Sequence, residues 1–168
     1  YPAFPFPWYT KVTRDDALAI KAYLFSLAPV HKVNKPVAFS FPFDVREALV
    51  TWRLMFFKTA EPKAPTDKLS RGAYLVEGLG HCGECHNRHN IFGASDWSGK
   101  YEGGAIDGWY APNITADGRQ GVGQWSEDEI AKFLKTGMSA QHGVALGPMQ
   151  ETISDSLSHL TDDDLHAM

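Results

Sequence analysis

Wherever the apolar positions of the chain recur regularly, they recur at helical spacing. Thr13 and Asp16 stand in capping-box positions, with Asp in the place of Glu or Gln, and Ala17, Leu18, Ile20, Leu24, Phe25 and Leu27 follow at helical intervals. They predict a helix of about four turns that ends before Pro29. Residues 29–43 carry Pro29, Pro36 and Pro42 with little periodicity and read as an extended connector. Asp44 is expected to cap a second helix with Val45, Leu49, Trp52, Leu54, Met55 and Phe56, and the stretch from Glu61 to Pro65 reads as a linker. Thr66 is expected to start a third helix, through Leu69, Ala73, Tyr74, Val76 and Leu79, that runs into two cysteines. From Gly93 to Gly123 glycine is dense and no period holds, which predicts a long loop region with tight turns. Ser126 with Glu129 is a second capping box, opening a helix through Ile130, Phe133 and Leu134 that stops at Gly137. Thr161 and the aspartates Asp162 to Asp164 mark one more helix start shortly before Met168. No strand alternation or internal repeat stands out, so the expected fold is all-α with long loops.

Composition narrows the class. Of 168 residues, 43% are apolar and 21% charged, which places the chain among folded domains rather than disordered segments. The net charge is −4 and the basic residues form no cluster, which argues against a nucleic-acid binder or a polybasic membrane-surface module. No apolar run approaches the ~20 residues of a membrane-spanning helix, so membrane association is expected only through missing segments or partners. The opening YPAFPFPWYT lacks the basic region, apolar core and cleavage site of a signal peptide. Both ends read as though cut from something longer.

The chemistry concentrates in CGECH. The chain holds two cysteines, Cys82 and Cys85, and His86 follows directly, which is the attachment pattern of c-type haem. Two intervening residues put both sulfurs on one side of a short turn, where each can add to a vinyl group of the porphyrin, and the next imidazole is then held beneath the iron. Rival readings are a thioredoxin-like dithiol, which wants a βαβ context, a zinc site completed by His81, His86 and His89, and a plain disulfide. A haem would also supply an apolar core for a loop-rich domain, and Tyr74, Phe92, Trp97, Tyr101, Trp109, Tyr110 and Trp125 are aromatic side chains available to surround it. A second axial ligand decides between electron transfer and an open iron site. Met149 is the first candidate, in Leu146-Gly147-Pro148-Met149, read as a stiffened extended loop; Met138 and His142 are alternatives.

The segments RGAYLVEGLGHCGECH, GWYAPNIT, GVGQWSEDEIAKFLKTG, GPM and LSHLTDDDLHAM together resemble, in order, the last haem domain of the multihaem cytochrome c subunits of bacterial membrane-bound alcohol, aldehyde and gluconate dehydrogenases. The resemblance covers residues 71–168. The front half, including DDALAIKAYLFSLAPV and FPFDVREALVTWRLMFF, resembles the tail of the preceding haem domain and the linker after it. What it implies is a class I cytochrome c fold for residues 66–168, preceded by a helical remnant over residues 1–65. One haem c would be bonded to Cys82 and Cys85, with His86 and Met149 as iron ligands. The Pro112 carbonyl would accept from the second ring nitrogen of His86, and Asn113 and Trp125 would lie near the haem propionates. Two positions depart from the usual pattern: Asn87-Arg88-His89-Asn90 stands where many relatives have Thr-Pro-Arg-Asn, and Phe4 where many have Met.

The expected function is therefore electron transfer in the periplasm, in association with the inner membrane. Electrons would come from a dehydrogenase catalytic subunit or from upstream haem domains of the same subunit and leave to a quinone or another carrier. The alternative is a haem enzyme or sensor with an open axial site, of peroxidase type.

Overall fold

The computed structural model describes residues 4–36, 45–106 and 108–168. The first element, α1 (Phe6–Tyr9), is a single turn begun by Pro5 and Pro7. Next comes α2 (Arg14–Ser26), where the Thr13 side chain accepts the Asp16 N–H as its spacing predicts. Its apolar residues do not pack inward: none is buried, and Phe25 is 81% exposed. The third helix, α3 (Ala48–Phe56), begins at Ala48 with no side-chain cap; the expected cap Asp44 lies outside the described residues.

In the second half, α4 (Lys68–Tyr74) is capped by Asp67 and not by Thr66. The Asp67 carboxylate accepts the Ser70 N–H at 2.8 Å and Ser70 Oγ accepts the Asp67 N–H at 3.0 Å, while the Thr66 hydroxyl donates to Asp67. The ladder then widens into a π-helical turn, Leu75–Leu79, which resets the side-chain faces just before the cysteines. α5 (Gly83–His86) is the CGECH turn itself.

The all-α expectation holds in the main, with two short hairpins added to it. β1 (Gly104–Ile106) and β2 (Trp109–Ala111) pair as an antiparallel hairpin with Ala105 opposite Tyr110. A second hairpin follows α6 (Glu127–Thr136): β3 (Met138–Ser139) pairs with β4 (Gly143–Val144). Strands of two or three residues are too short to show alternation, so periodicity misses them. The α6 boundaries match expectation. Ser126 and Glu129 form both bonds of the capping box, and Gly137 ends the helix in the left-handed region at φ 72°. The chain closes with α7 (Pro148–Asp155), a 3₁₀ turn at Leu157–His159 and α8 (Asp162–Ala167), capped by Thr161.

The core of this half joins Ala145, Ile153 and Leu157, with Phe133, Leu134, Met149, Leu160 and Met168 packed on it. α8 lies directly on α4 at Gly72, and Arg71 grips Asp164 by two bonds of 2.7 and 2.9 Å. The N-terminal segment is fastened to this half through Trp8, which is fully buried, and through Trp52, whose Nε1 donates to the Phe92 carbonyl.

Candidate cofactor site

The CGECH turn holds its three chemical groups by backbone bonds: the Cys85 and His86 N–H groups both donate to the Cys82 carbonyl, at 3.3 and 3.0 Å. This places Cys82, Cys85 and His86 on one helical turn. The cysteines are not disulfide-bonded. Burial pushes the Cys82 thiol up to about 11, the opposite of the lowered thiol of a redox-active CxxC pair. Among the described residues, no group of three or more His, Cys, Asp or Glu side chains gathers to hold a metal ion, so the zinc reading finds no ligand set.

His86 is 8% exposed, and its Nδ1 lies 2.7 Å from the Pro112 carbonyl oxygen, the contact implied for this pair. The carbonyl can only accept, so Nδ1 carries the proton and Nε2 is left with its lone pair. Burial lowers the pKa of the ring, with the Pro112 bond pulling it partly back, and the net direction favours the neutral imidazole that a metal ligand needs. Among the described residues nothing hydrogen-bonds Nε2. A further bond, from Gly103 N–H to the His86 carbonyl at 2.8 Å, ties the turn to the start of the first hairpin.

That hairpin bridges the site. Pro112 follows β2 and meets His86, while Trp109 at the other end of the strand lies over Gly147: a Cβ there would stand 2.6 Å from the Trp109 ring. From Trp109 to Pro112 is about 10 Å of extended chain, so β2 spans between the His86 side and the Gly147-Pro148-Met149 segment. Met149 does not sit in an extended loop as expected. It lies in the first turn of α7, with Pro148 at its start, because proline at the first helical position presets the helical φ and lacks only an N–H the helix would leave unpaired. Met149 is partly buried, packed on the Ile153 core. Met138 is in β3 and 60% exposed.

The two other expected residues are turned to local partners. Asn113 Oδ1 accepts the Thr115 N–H at 2.7 Å. Trp125 stacks on His142 with ring centres 4.1 Å apart and meets the Phe133 ring edge-on. The aromatic set expected to surround one cofactor divides. Phe92 and Trp97 group with Phe56 and Trp8 toward the N-terminal segment, whereas Trp109 and Tyr110 lie along β2. Sequence reading missed Trp8, and nothing local in the chain marks it. Tyr101, one of the expected aromatics, is held at φ 67° with a buried hydroxyl, and Asn87, noted in the sequence only as a departure, is fully buried; among the described residues neither the Tyr101 hydroxyl nor Asn87 Nδ2 finds a partner.

The residues present fit a c-type haem. Two thiols and a neutral, oriented imidazole share one turn, and a thioether is available in α7. Met138 and Val144 face each other across the second hairpin, Leu146 follows and Trp109 lies over Gly147, all of them half exposed or more, a rim of apolar side chains that a flat apolar macrocycle could cover.

No family model matches the chain. Similarity to known proteins runs along its whole length. It is 41% identical to the gluconate 2-dehydrogenase cytochrome c subunit of Pantoea cypripedii, 37% to the fructose dehydrogenase cytochrome subunit of Gluconobacter japonicus and 37% to the alcohol dehydrogenase (quinone) cytochrome c subunit of Gluconobacter oxydans. These matches take in 100%, 100% and 99% of this chain but only 41%, 35% and 37% of the relative. The chain thus spans about two fifths of the length of these relatives.

Proposed function

We propose that this chain, a homologue of the cytochrome c subunits of bacterial dehydrogenases, is an electron-relay module that holds one haem c. In this reading Cys82 and Cys85 would carry the thioethers, and His86 and Met149 would ligate the iron. The observation that carries it is the His86 ring, buried and oriented by the 2.7 Å bond to Pro112, on the same turn as Cys82 and Cys85. When bound, haem supplies a one-electron couple, with a thioether ligand raising its potential. The protein's part is to orient His86, exclude water from its buried side and offer Met149 from a helix braced by the Ile153 core.

Electrons would arrive from a dehydrogenase catalytic subunit or an upstream haem domain of the same subunit and leave to a quinone or another carrier. The location would be the periplasm, at the inner membrane; among the described residues no helix is long and apolar enough to cross it. Residues 66–168 would form the cytochrome domain, and residues 1–65 the tail of a preceding domain. Two features support that division. α2 leaves Leu18, Ile20, Leu24 and Phe25 all exposed, as apolar residues of a helix are when their cover lies elsewhere. Its Thr13 cap, with an aspartate N–H donating three residues on, repeats the Thr161 cap of α8, a helix that is covered by α4.

Replacing Met149 by Ala should lower the reduction potential, abolish the near-infrared charge-transfer band of methionine-ligated iron and let the reduced protein bind CO. Met138→Ala should leave all three unchanged. The reverse pattern would move the ligand to Met138, and CO binding by the unmodified protein would favour the open-site alternative.

A further inference from the structure

Trp8, Tyr9 and Lys11 run as a strap over the cofactor turn and the residues just before it. Trp8 is fully buried, and its Nε1 donates to Glu84 Oε2 at 2.6 Å, across 76 positions of sequence. Its ring also covers Gly83, where a Cβ would stand 2.6 Å from Trp8 Cζ2. Gly83 and Glu84 are the two residues between the cysteines. The Tyr9 ring meets His81 edge-on at 5.4 Å, beside Cys82, and Lys11 pairs at 2.6 Å with Glu77 in the π-helical turn, where Lys100 pairs as well. Lys11 Nζ also lies 5.4 Å from the Trp8 ring. Gly83 has room for no side chain because Trp8 fills that space, and the Glu84 carboxylate is drawn inward by the indole.

We infer that Trp8 is a positioning residue for the cofactor turn. It fixes both residues between Cys82 and Cys85 and, through the charge-assisted bond to Glu84, holds a carboxylate beside whatever that turn binds. The inference rests on the haem reading above and adds to it that the environment of the iron is set partly from the segment before residue 66. A phenylalanine would preserve the ring contact with Gly83. The indole N–H partly offsets the carboxylate's charge, which phenylalanine cannot do, and a negative charge less offset near the iron would favour its oxidised state.

The test is a cycle of Trp8→Phe and Glu84→Ala in the full holoprotein, read by reduction potential. With Glu84 present, Trp8→Phe should lower the potential; with Glu84→Ala in place, it should have no further effect. Equal shifts in both backgrounds, or none in either, would overturn the positioning role, since lost packing alone acts regardless of Glu84. Where Trp8→Phe does not accumulate, the Trp8 indole N–H proton resonance serves with Trp8 intact. It should lie downfield in the unmodified chain, stay close to that position in Glu84→Gln, which keeps an acceptor, and move upfield in Glu84→Ala; no movement in Glu84→Ala overturns the bond. This second readout works in the cofactor-free chain too, so a chain that takes up no haem would refute the haem reading while the resonance still decides the clamp.

Discussion

Replacing Gly72 with alanine tests how closely α4 and α8 must approach. A Cβ on Gly72 would lie 2.5 Å from the Ala167 carbonyl carbon and 3.3 Å from Met168 N, and would fall on the Ala167 carbonyl oxygen. Carbon atoms pack at about 3.5–4.0 Å and the oxygen overlap is closer still, so the helices must part by roughly 1.5 Å or more. Both contacts are backbone, and no side chain can turn aside. Parting strains the Arg71–Asp164 pair and unseats Leu165, which is 2% exposed. Overpacking of this kind costs about 1–3 kcal/mol, against about 1 kcal/mol gained from alanine's better helix propensity. The expected net is a loss of up to about 2 kcal/mol, several degrees in Tm for a chain of this size. Gly78→Ala is the control, because a Cβ there meets nothing nearer than 3.8 Å. Urea unfolding of both variants beside the parent protein should separate them, with Gly72→Ala weakened and Gly78→Ala neutral or strengthened. A Gly72→Ala protein as stable as the Gly78→Ala one would refute the close approach.

Other expectations follow from the same packing and charge. Ile153 is 1% exposed at the centre of the core that braces Met149, so Ile153→Ala should cost about 2–5 kcal/mol in urea unfolding and broaden the signals of the Met149 methyl group. The Arg71 guanidinium holds the Asp164 carboxyl below its usual range. A carboxylate depressed in the folded state stabilises above its unfolded pKa of about 3.9 and loses that stabilisation as pH falls through the folded value. Asp164→Asn should therefore flatten the acid limb of the stability–pH curve below about pH 4 and show its deficit above it; an unchanged limb counts against the pair. Acids and bases are interspersed along a chain of net charge −4, which suits fixed neighbours better than steered diffusion. Electron exchange with soluble cytochromes in stopped flow should be slow and nearly independent of salt, and a fast rate falling steeply with ionic strength would contradict this.

What could be read from the chain was local. Thr13, Ser126 and Thr161 mark helix starts because each cap is one side chain accepting an N–H three residues on, and Gly137 marks an end because the left-handed conformation favours glycine. The same logic slipped by one residue at Asp67, where two neighbouring oxygens compete and the carboxylate prevails. CGECH placed its three groups on one turn because the whole motif fits within one. Pro148 was ambiguous, since proline stiffens loops and starts helices alike, and only the fold shows which. The strands of the two hairpins, β1 with β2 and β3 with β4, are too short for periodicity to mark them. Trp8 was out of reach. Its partners are 75 and 76 positions away, and its neighbours in sequence are prolines and aromatics that suggest only an extended segment. The exposed apolar surface of α2 marks the reverse limit: periodicity identified the helix and overestimated how much of it these residues bury.

The central claim is that Cys82 and Cys85 bind haem covalently. Its most direct measurement is the intact mass of the protein, produced in a host that matures c-type cytochromes and analysed after acid–acetone extraction under denaturing conditions. One haem per chain should remain with the polypeptide, the supernatant should stay colourless, and thiol-reactive label should find neither cysteine. A coloured supernatant over a polypeptide of unmodified mass, with both thiols labelled, would contradict the account.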